Sequence, residues 1–428
     1  MSRGMRRTRI PGWYEFSRIA CPICGHAGGC MQHKDGNAIA CIRIESDRYF
    51  SKNSSLPSYL HFLKGDKKRK KINDNLVESH QGEKKKGDLT LHNVYTAMLS
   101  YLDLDTDHYE HLTSHKRRLT DEQIDEREYR SFPEKPWSIV KQMQQDYGLD
   151  NFKGVPGFYE EEGKYGKFWS LTSMNGILIP FRNYKKQIVG FQYRIDNPPN
   201  DVKVQDRKHG LRARVIKQPN IVQVHYEGEI ILEQEFELNK PITIQYNKNT
   251  GALNDILGWV TLKKGNRYYW LSSANKPKGT GSGDPAPVHV SVPLKKFSHW
   301  ETGKTLKAKK IWLSEGPLKT DIASDLIGKV LKPEKIEAHG DTFLALPGVN
   351  AWRLALPIMK EMGVEEINLC FDADVVSNIQ VKTILMECTK ELKKEGYHVN
   401  MVIWNEKDGK GIDDLLLNNK IPQFKSLF

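Results

Sequence analysis

Residues 367–378 read INLCFDADVVSN. An apolar run that ends at Phe371 leads into Asp372 and Asp374, at what the pattern predicts to be the end of a strand. The stretch is either a strand that ends in a polar turn or a strand that delivers two carboxylates to a divalent cation. An isolated D-x-D is more often the turn, so the surrounding sequence must decide.

The sequence from about residue 305 alternates strand patterns with helical patterns. AKKIWLSEG (308–316), TFLALPG (342–348) and HVNMVIW (398–404) are typical of buried strands, and helix-length amphipathic segments separate the strand patterns of this region. Alternation of this kind predicts an α/β fold with a mostly parallel sheet over residues 305–428.

Further carboxylates fall beside these strand patterns. Glu315 follows the first strand, and Asp413 and Asp414 lie in KDGKGIDD (407–414). Carboxylates at the carboxyl ends of neighbouring parallel strands meet at one crevice. Because grouped carboxylates repel one another unless a hard cation neutralises them, the ordered set favours a Mg²⁺ or Mn²⁺ site over a simple turn.

Four of the six cysteines cluster near the N-terminus. Cys21, Cys24, Cys30 and Cys41 give the spacing C-x2-C-x5-C-x10-C, which is typical of a tetrahedral zinc site. A segment this short has little apolar core, so we expect the metal to supply most of its folding free energy. The pattern predicts a structural zinc ribbon over residues 1–62.

The charge of the chain indicates a polyanionic partner. Its net charge is +12 and its pI is about 9.1, and lysines and arginines that neutralise phosphates release condensed counterions. A merely basic soluble protein is the alternative. No apolar stretch approaches the length of a membrane span or of a signal-peptide core, so we expect a cytoplasmic protein with no membrane partner.

Composition divides the remaining chain. Residues 63–88 are charged and predict a flexible basic linker. Residues 89–304 predict a helical segment followed by a mixed α+β basic core, with an insertion at about 197–262 that we do not assign. Within the helical segment, LTDEQIDEREYRSF (119–132) begins as a capped helix, with Thr120 as N-cap and Gln123 at the third position.

The C-terminal motifs together carry a family resemblance. The ordered set of strand-E-G, strand-P-G, strand-D-x-D and K-G-x-D-D resembles the Toprim domain of DnaG-type primases, type IA and II topoisomerases, some nucleases and RecR-type repair proteins. The resemblance implies that Glu315, Asp372 and Asp374 are catalytic and bind Mg²⁺ or Mn²⁺, and that Asp413 and Asp414 contribute to the outer part of that site.

Motifs upstream of residue 305 narrow the resemblance to one group of Toprim proteins. GILIPFRNYKKQIVGFQYRID (176–196), NRYYWLSSANKPKGTGSG (266–283) and GVPGF (154–158) are similar to segments of DnaG-type primases, above all the divergent primase-like proteins of phages, plasmids and integrative elements. One departure follows the D-x-D, where Val375 and Val376 replace small residues. The resemblance implies that eight basic residues bind nucleic acid or nucleotide: Arg182, Lys185, Lys186, Arg194, Arg267, Lys276, Lys278 and Lys319.

The implied activity is primer synthesis. A primase of this kind would use single-stranded DNA as template, NTPs or dNTPs as substrates, structural zinc and catalytic Mg²⁺ or Mn²⁺, and a replicative helicase or initiator as partner. Two other classes stay open at this point: a DNA-binding replication accessory protein without catalysis, and a Toprim nuclease.

Overall fold

The fold is given by a computed structural model. It describes residues 5–427 apart from 9, 11, 17–18, 25–27, 45, 47, 52–57, 64–83, 173, 208–209, 247–255, 275, 284 and 373–378. The described chain forms two compact units, one of residues 194–269 and the other of the residues on either side. None of the helices in the described part combines the length and apolar composition needed to cross a bilayer.

The cysteine-bearing segment contains a six-stranded antiparallel sheet. Its strands are β1 (Met5–Arg7), β2 (Trp13–Phe16), β3 (Met31–His33), β4 (Ala38–Cys41), β5 (Tyr49–Ser51) and β6 (Ser58–Phe62). They pair in the order β1-β2-β3-β4-β6-β5. Strand β4 is buried on both faces: Ile39 and Cys41 pack with the other cysteines, whereas Ala38 and Ala40 pack with the rings of Trp13 and Phe50. Most of the predicted linker lies outside the described residues.

A helical segment follows. It comprises α1 (Asp88–Leu99), α2 (Thr106–Thr113), α3 (Asp121–Arg127), the short strand β7 (Arg130–Ser131) and α4 (Pro136–Tyr147). The capping box predicted for α3 is confirmed, because Gln123 donates its backbone N–H to the Thr120 hydroxyl at 3.3 Å and accepts the Thr120 N–H at 2.8 Å. Two hairpins come next: β8 (Phe158–Gly163) with β9 (Gly166–Leu171), and β10 (Gly176–Arg182) with β11 (Ile188–Ile195).

Residues 194–269 form a β-rich unit, which includes the segment of about 197–262 that the sequence analysis left unassigned. Its strands are β12 (Asp201–Asp206), β13 (Leu211–Lys217), β14 (Ile221–Tyr226), β15 (Glu229–Glu235), β16 (Pro241–Gln245) and β17 (Ile256–Lys263). Two three-stranded antiparallel sheets, β12-β17-β16 and β13-β14-β15, share one apolar core. The two ends of the unit meet, since Ile195 donates its N–H to the Arg267 carbonyl at 2.8 Å.

The chain then completes the earlier sheet and enters the C-terminal α/β region. Strand β18 (Tyr268–Trp270) gives the order β18-β11-β10-β7. The later elements are β19 (His289–Ser291), α5 (Leu294–His299), β20 (Lys310–Glu315), α6 (Pro317–Val330), α7 (Pro333–His339), β21 (Thr342–Leu346), α8 (Ala355–Met362), β22 (Glu366–Leu369), α9 (Ile379–Lys394), β23 (His398–Ile403), α10 (Ile412–Leu417) and β24 (Gln423–Ser426). Short 3₁₀ turns occupy Val349–Leu354 and Glu406–Asp408.

The C-terminal sheet is mostly parallel, as predicted. Its order is β19-β21-β20-β22-β23-β24, with parallel pairing among the four central strands and antiparallel strands at both edges. The edge strand β19 lies upstream of the boundary predicted at residue 305. Alternate residues of β20 enter opposite apolar layers, Leu313 on one face and Trp312 on the other, so helices cover both faces. The chain is therefore a mixed α/β protein with an N-terminal cysteine cluster.

A buried ionic network joins α3 to α6. The Arg127 guanidinium, 1% exposed, donates to Asp321 at 2.9 Å and to Asp325 at 2.8 Å. Asp321 also accepts the Tyr129 hydroxyl at 2.6 Å and lies 3.1 Å from a ring nitrogen of His289. Burial alone would raise the pKa of Asp321, but Arg127 and His289 hold it below its usual range. The helical segment is thereby fixed to the helix that follows Glu315.

Replacing Arg127 by methionine would leave Asp321 and Asp325 buried without their cation. We expect the free energy of unfolding to fall by about 3–5 kcal/mol, measured by denaturant unfolding followed by circular dichroism. The matched control is Lys304→Met, which removes a lysine paired with Glu301 at the surface and should leave the midpoint near that of the unaltered protein. An unchanged midpoint for Arg127→Met would contradict the role given to the network.

Candidate functional site

The predicted carboxylates lie at the carboxyl edge of the parallel strands. Glu315 is the last residue of β20, and Asp372 follows shortly after β22, which pairs directly with β20. Gly316 turns the chain with a φ of +79°, a conformation that a side chain would strain, and α6 begins at the next residue. Gly348 leaves space beside Glu315, since a Cβ placed there would lie 3.9 Å from the carboxylate.

Lys319, on the first turn of α6, is the cation that these carboxylates share. Its ammonium forms an ion pair with Asp372, and both side chains are about one-fifth exposed. Burial would lower the pKa of Lys319, but Asp372, followed by Asp413 and Glu315, raises it above its ordinary value. One cation thus interacts with carboxylates from three separate segments of the chain.

Asp413 is the most buried member of this group. It is 2% exposed, and one of its oxygens accepts a hydrogen bond from Arg117 at 2.9 Å. Its other oxygen, Oδ1, is buried and has no hydrogen-bond partner in the described part of the chain. Burial raises the pKa of Asp413 to about 6, although Lys319 and Arg117 oppose the shift.

Gly411 makes this packing possible. A Cβ at this position would lie 2.5 Å from Asp413 Oδ1 and 3.0 Å from the Lys319 side chain. Such contacts are shorter than van der Waals packing allows. The glycine of the G-x-D-D motif therefore has a steric reason, because a larger residue at position 411 would collide with these side chains. Substitution at Gly411 would displace both charged groups.

The structure does not bring every predicted residue into the group. Asp414 accepts a hydrogen bond from the Gly411 N–H at 3.3 Å and so caps the start of α10. Asp374 lies outside the described residues. Arg117 was missed by the sequence analysis; its one signal was the basic run HKRR (115–118) between two predicted helices.

The donor set of the carboxylate group fits a hard divalent cation. Glu315, Asp372 and Asp413 offer only oxygen ligands, and the unpartnered oxygen of Asp413 has unused acceptor capacity. Their oxygens are not drawn together within 4.8 Å, since among the described residues the four cysteines alone form such a group. In this arrangement the Lys319 ammonium is a positive charge that offsets the negative charge of the carboxylates.

The cysteine cluster has the geometry of a tetrahedral metal site. The four sulfurs lie within 4.8 Å of one another, with Cys24–Cys30 at 3.7 Å and Cys30–Cys41 at 3.8 Å. Zinc–sulfur bonds of about 2.3 Å give tetrahedron edges of about 3.8 Å. The Cys41 sulfur accepts the backbone N–H of Arg43 at 3.4 Å and of Ile44 at 3.3 Å. The residues therefore fit zinc.

The predicted basic residues fall into two groups that differ in burial. Arg182 is buried and donates to Glu128 at 2.6 Å and to the Arg127 carbonyl at 2.9 Å. Arg194 is buried as well. A buried guanidinium is not accessible to a phosphate backbone, so these two arginines act within the fold. Sequence alone could not reveal this, because burial depends on segments distant in the chain.

The other predicted basic residues are more accessible. Lys186 is half-buried, donates to the Phe297 carbonyl at 2.8 Å and lies 4.2 Å from the centre of the Phe297 ring. Lys185 is partly exposed and lies over the Tyr184 ring. Three further residues are exposed on the surface: Arg267, Lys276 and Lys278.

Replacing Cys41 by serine should release the metal from the cysteine cluster. We expect about one zinc ion per unaltered chain, released by a mercurial reagent and measured with a colorimetric chelator, and little or none in Cys41→Ser. Cys388→Ser, which alters a buried cysteine in α9, is the control and should keep its zinc. Full zinc content in Cys41→Ser would show that the cluster is not the binding site.

Comparisons with known proteins show distant likeness. A family model described as a domain of unknown function, DUF3854, matches residues 329–422. A comparison with curated proteins finds no match. The zinc-binding and RNA polymerase domains of the Aquifex aeolicus primase align at 10% identity and a TM-score of 0.40, over 98% of this chain and 81% of that one.

Two further solved structures are similar at the same level. The RNA polymerase domain of Mycobacterium tuberculosis primase DnaG, in complex with double-stranded DNA bearing a 6-nucleotide overhang, has 12% identity and a TM-score of 0.41, over 78% of this chain and 77% of that one. The E. coli primase catalytic core has 9% identity and a TM-score of 0.40, over 77% and 75%. Likeness this distant assigns no residue roles, so roles are argued from the residues of this chain.

Proposed function

We propose that the protein is a DNA primase that synthesises short primers on single-stranded DNA by metal-dependent nucleotidyl transfer, in the replication of a phage or other mobile element. The observation that carries the proposal is the convergence of Glu315, Asp372 and Asp413 on Lys319 at the carboxyl edge of a parallel sheet. The motif order of the sequence, from zinc ribbon to Toprim-like region, supports the same function. Residues 305–428 would then be the Toprim domain.

The roles proposed for these residues come from the sequence motif and from the positions of its described members. Glu315, Asp372 and Asp374 would hold Mg²⁺ or Mn²⁺, with Asp413 as a further carboxylate behind them. The bound metal would neutralise the nucleotide phosphates and favour attack of a 3′-hydroxyl on the α-phosphorus, with pyrophosphate leaving. Lys319, if a metal displaced it from Asp372, would be free to contact the same phosphates. The exposed lysines would hold the template, and the zinc-binding segment would help select the start site.

A second candidate function is favoured by one observation. Lys319 pairs with Asp372, and Arg117 pairs with Asp413. A site neutralised in this way is also expected of a replication accessory protein that binds DNA without copying it. The two functions differ in whether primers are made, so a direct assay separates them.

Primer synthesis should depend on the D-x-D carboxylates. We expect labelled short products from single-stranded templates, NTPs or dNTPs and Mg²⁺ or Mn²⁺, and their loss in Asp372→Ala/Asp374→Ala. The control is Glu334→Ala/Glu337→Ala, which removes two exposed acids on α7 and should retain activity. Absence of products from the unaltered protein on several templates, with DNA binding intact, would favour the accessory function.

Lys319 should compete with the metal for Asp372. In the zinc-loaded protein we expect Lys319→Met to bind Mn²⁺ about tenfold or more tightly than the unaltered chain, because a neighbouring positive charge is removed. Free Mn²⁺ is measured by electron paramagnetic resonance, with Lys329→Met, an exposed lysine at the far end of α6, as control. Unchanged or weaker Mn²⁺ binding would show that Lys319 does not compete.

A further inference from the structure

The hairpin of β8 and β9 carries an unusual sequence at its tip. Residues 163–168 read GKYGKF, two successive repeats of glycine, lysine and an aromatic residue. The strands pair without interruption from Phe158–Leu171 to Gly163–Gly166, so Lys164 and Tyr165 form the two-residue turn. All six residues of the repeat are exposed.

The two aromatic side chains of this tip are exposed to different degrees. Tyr165 is 94% exposed and Phe168 is 39% exposed. Hairpin turns of two residues usually carry Asn, Asp or Gly, and a tyrosine there gains nothing from burial. The Lys164 amine lies 5.4 Å from the centre of the Tyr165 ring. The tip therefore presents aromatic faces beside cations, a combination that suits a ligand with both π-faces and negative charge.

More lysines gather at the base of the hairpin. Lys276 lies 5.1 Å from the centre of the Tyr159 ring, and Lys278 pairs with Glu160 at 2.6 Å. The pKa of Glu160 is lowered first by Lys278 and further by Lys167 and Lys153, which places all three cations close to it. The positive charge thus continues from the tip of the hairpin to its base.

The hairpin also carries three acidic residues, of which Glu160 and Glu162 have lysines beside them. Glu160 takes Lys278, Glu161 accepts the Tyr159 hydroxyl at 3.2 Å, and Glu162 lies directly across from Lys167 in the strand register. They cancel part of the charge at the base but not the lysine that adjoins Tyr165 in the turn. The remaining surface favours an anionic partner.

We propose that this hairpin binds single-stranded nucleic acid, with Tyr165 and Phe168 stacking on bases while the surrounding lysines contact phosphates. Sequence-tolerant single-strand binding combines these two elements, because every base has a π-face and every nucleotide a charge. The inference shares its nucleic-acid partner with the proposed function but requires no catalysis at the carboxylate group.

The test uses the full zinc-loaded chain and a fluorescent oligothymidylate, with binding followed by anisotropy without Mg²⁺. Tyr165→Ala and Phe168→Ala should each weaken binding roughly fivefold or more, whereas Tyr165→Phe should keep it. Lys164→Ala/Lys167→Ala should reduce the slope of log affinity against log salt by about 1.4. All altered residues are exposed, and unfolding curves check that the fold is retained.

Control variants separate the tip from general surface effects. Tyr109→Ala removes another exposed tyrosine, on α2, and Lys329→Ala/Lys332→Ala removes two other exposed lysines; these should bind as the unaltered chain does. Equal affinity of the tip variants and the unaltered chain would overturn the proposal. An equal loss for duplex and single-stranded DNA would overturn the stacking role. Failure of primer synthesis with tip-dependent binding intact would refute the primase proposal alone.

Discussion

The arrangement of the carboxylate group depends on one buried arginine and the two carboxylates that it pairs with. Arg127 holds Asp321 and Asp325 inside the protein, and both carboxylates belong to α6. The same helix begins just after Glu315 and carries Lys319 on its first turn. A side chain 194 residues away in the sequence from Asp321 therefore fixes the direction in which α6 leaves the sheet. The enclosing apolar residues make the pair strong by excluding water, and also make its loss costly.

The carboxylate group at the sheet edge and the cysteine cluster both place several acidic groups close together, but different cations offset the negative charge in the two places. At the sheet edge, Lys319 and Arg117 form ion pairs with Asp372 and Asp413 that offset part of the negative charge. In the cysteine cluster, burial raises the pKa of the Cys30 thiol, and a bound cation is needed to stabilise the thiolates. The cysteine cluster is therefore suited to a permanently bound metal, whereas the carboxylates have cationic side chains of the protein beside them.

Local patterns in the sequence predicted much of the fold and part of the site. Cysteine spacing, the capping box at Thr120 and the strand-helix alternation after residue 305 are short-range features, and the structure contains each of them. The positions of Glu315 and Asp372 followed from strand ends. The burial of Arg182 and the pairing of Arg117 with Asp413 were not foreseen, because both depend on neighbours that only the folded chain brings together. The capping role of Asp414 was also not foreseen, although its partner Gly411 lies only three residues away.

The meeting of the two ends of the β-rich unit has an evolutionary consequence. A backbone hydrogen bond joins Ile195 to Arg267. The residues between them therefore form an insertion whose two ends are adjacent in the fold. Insertions with adjacent ends can be gained, exchanged or shortened at little cost in the conformational entropy of the surrounding chain. Related chains can therefore differ widely in this region, carrying unlike or truncated units, while the elements that hold the carboxylates keep the same connections.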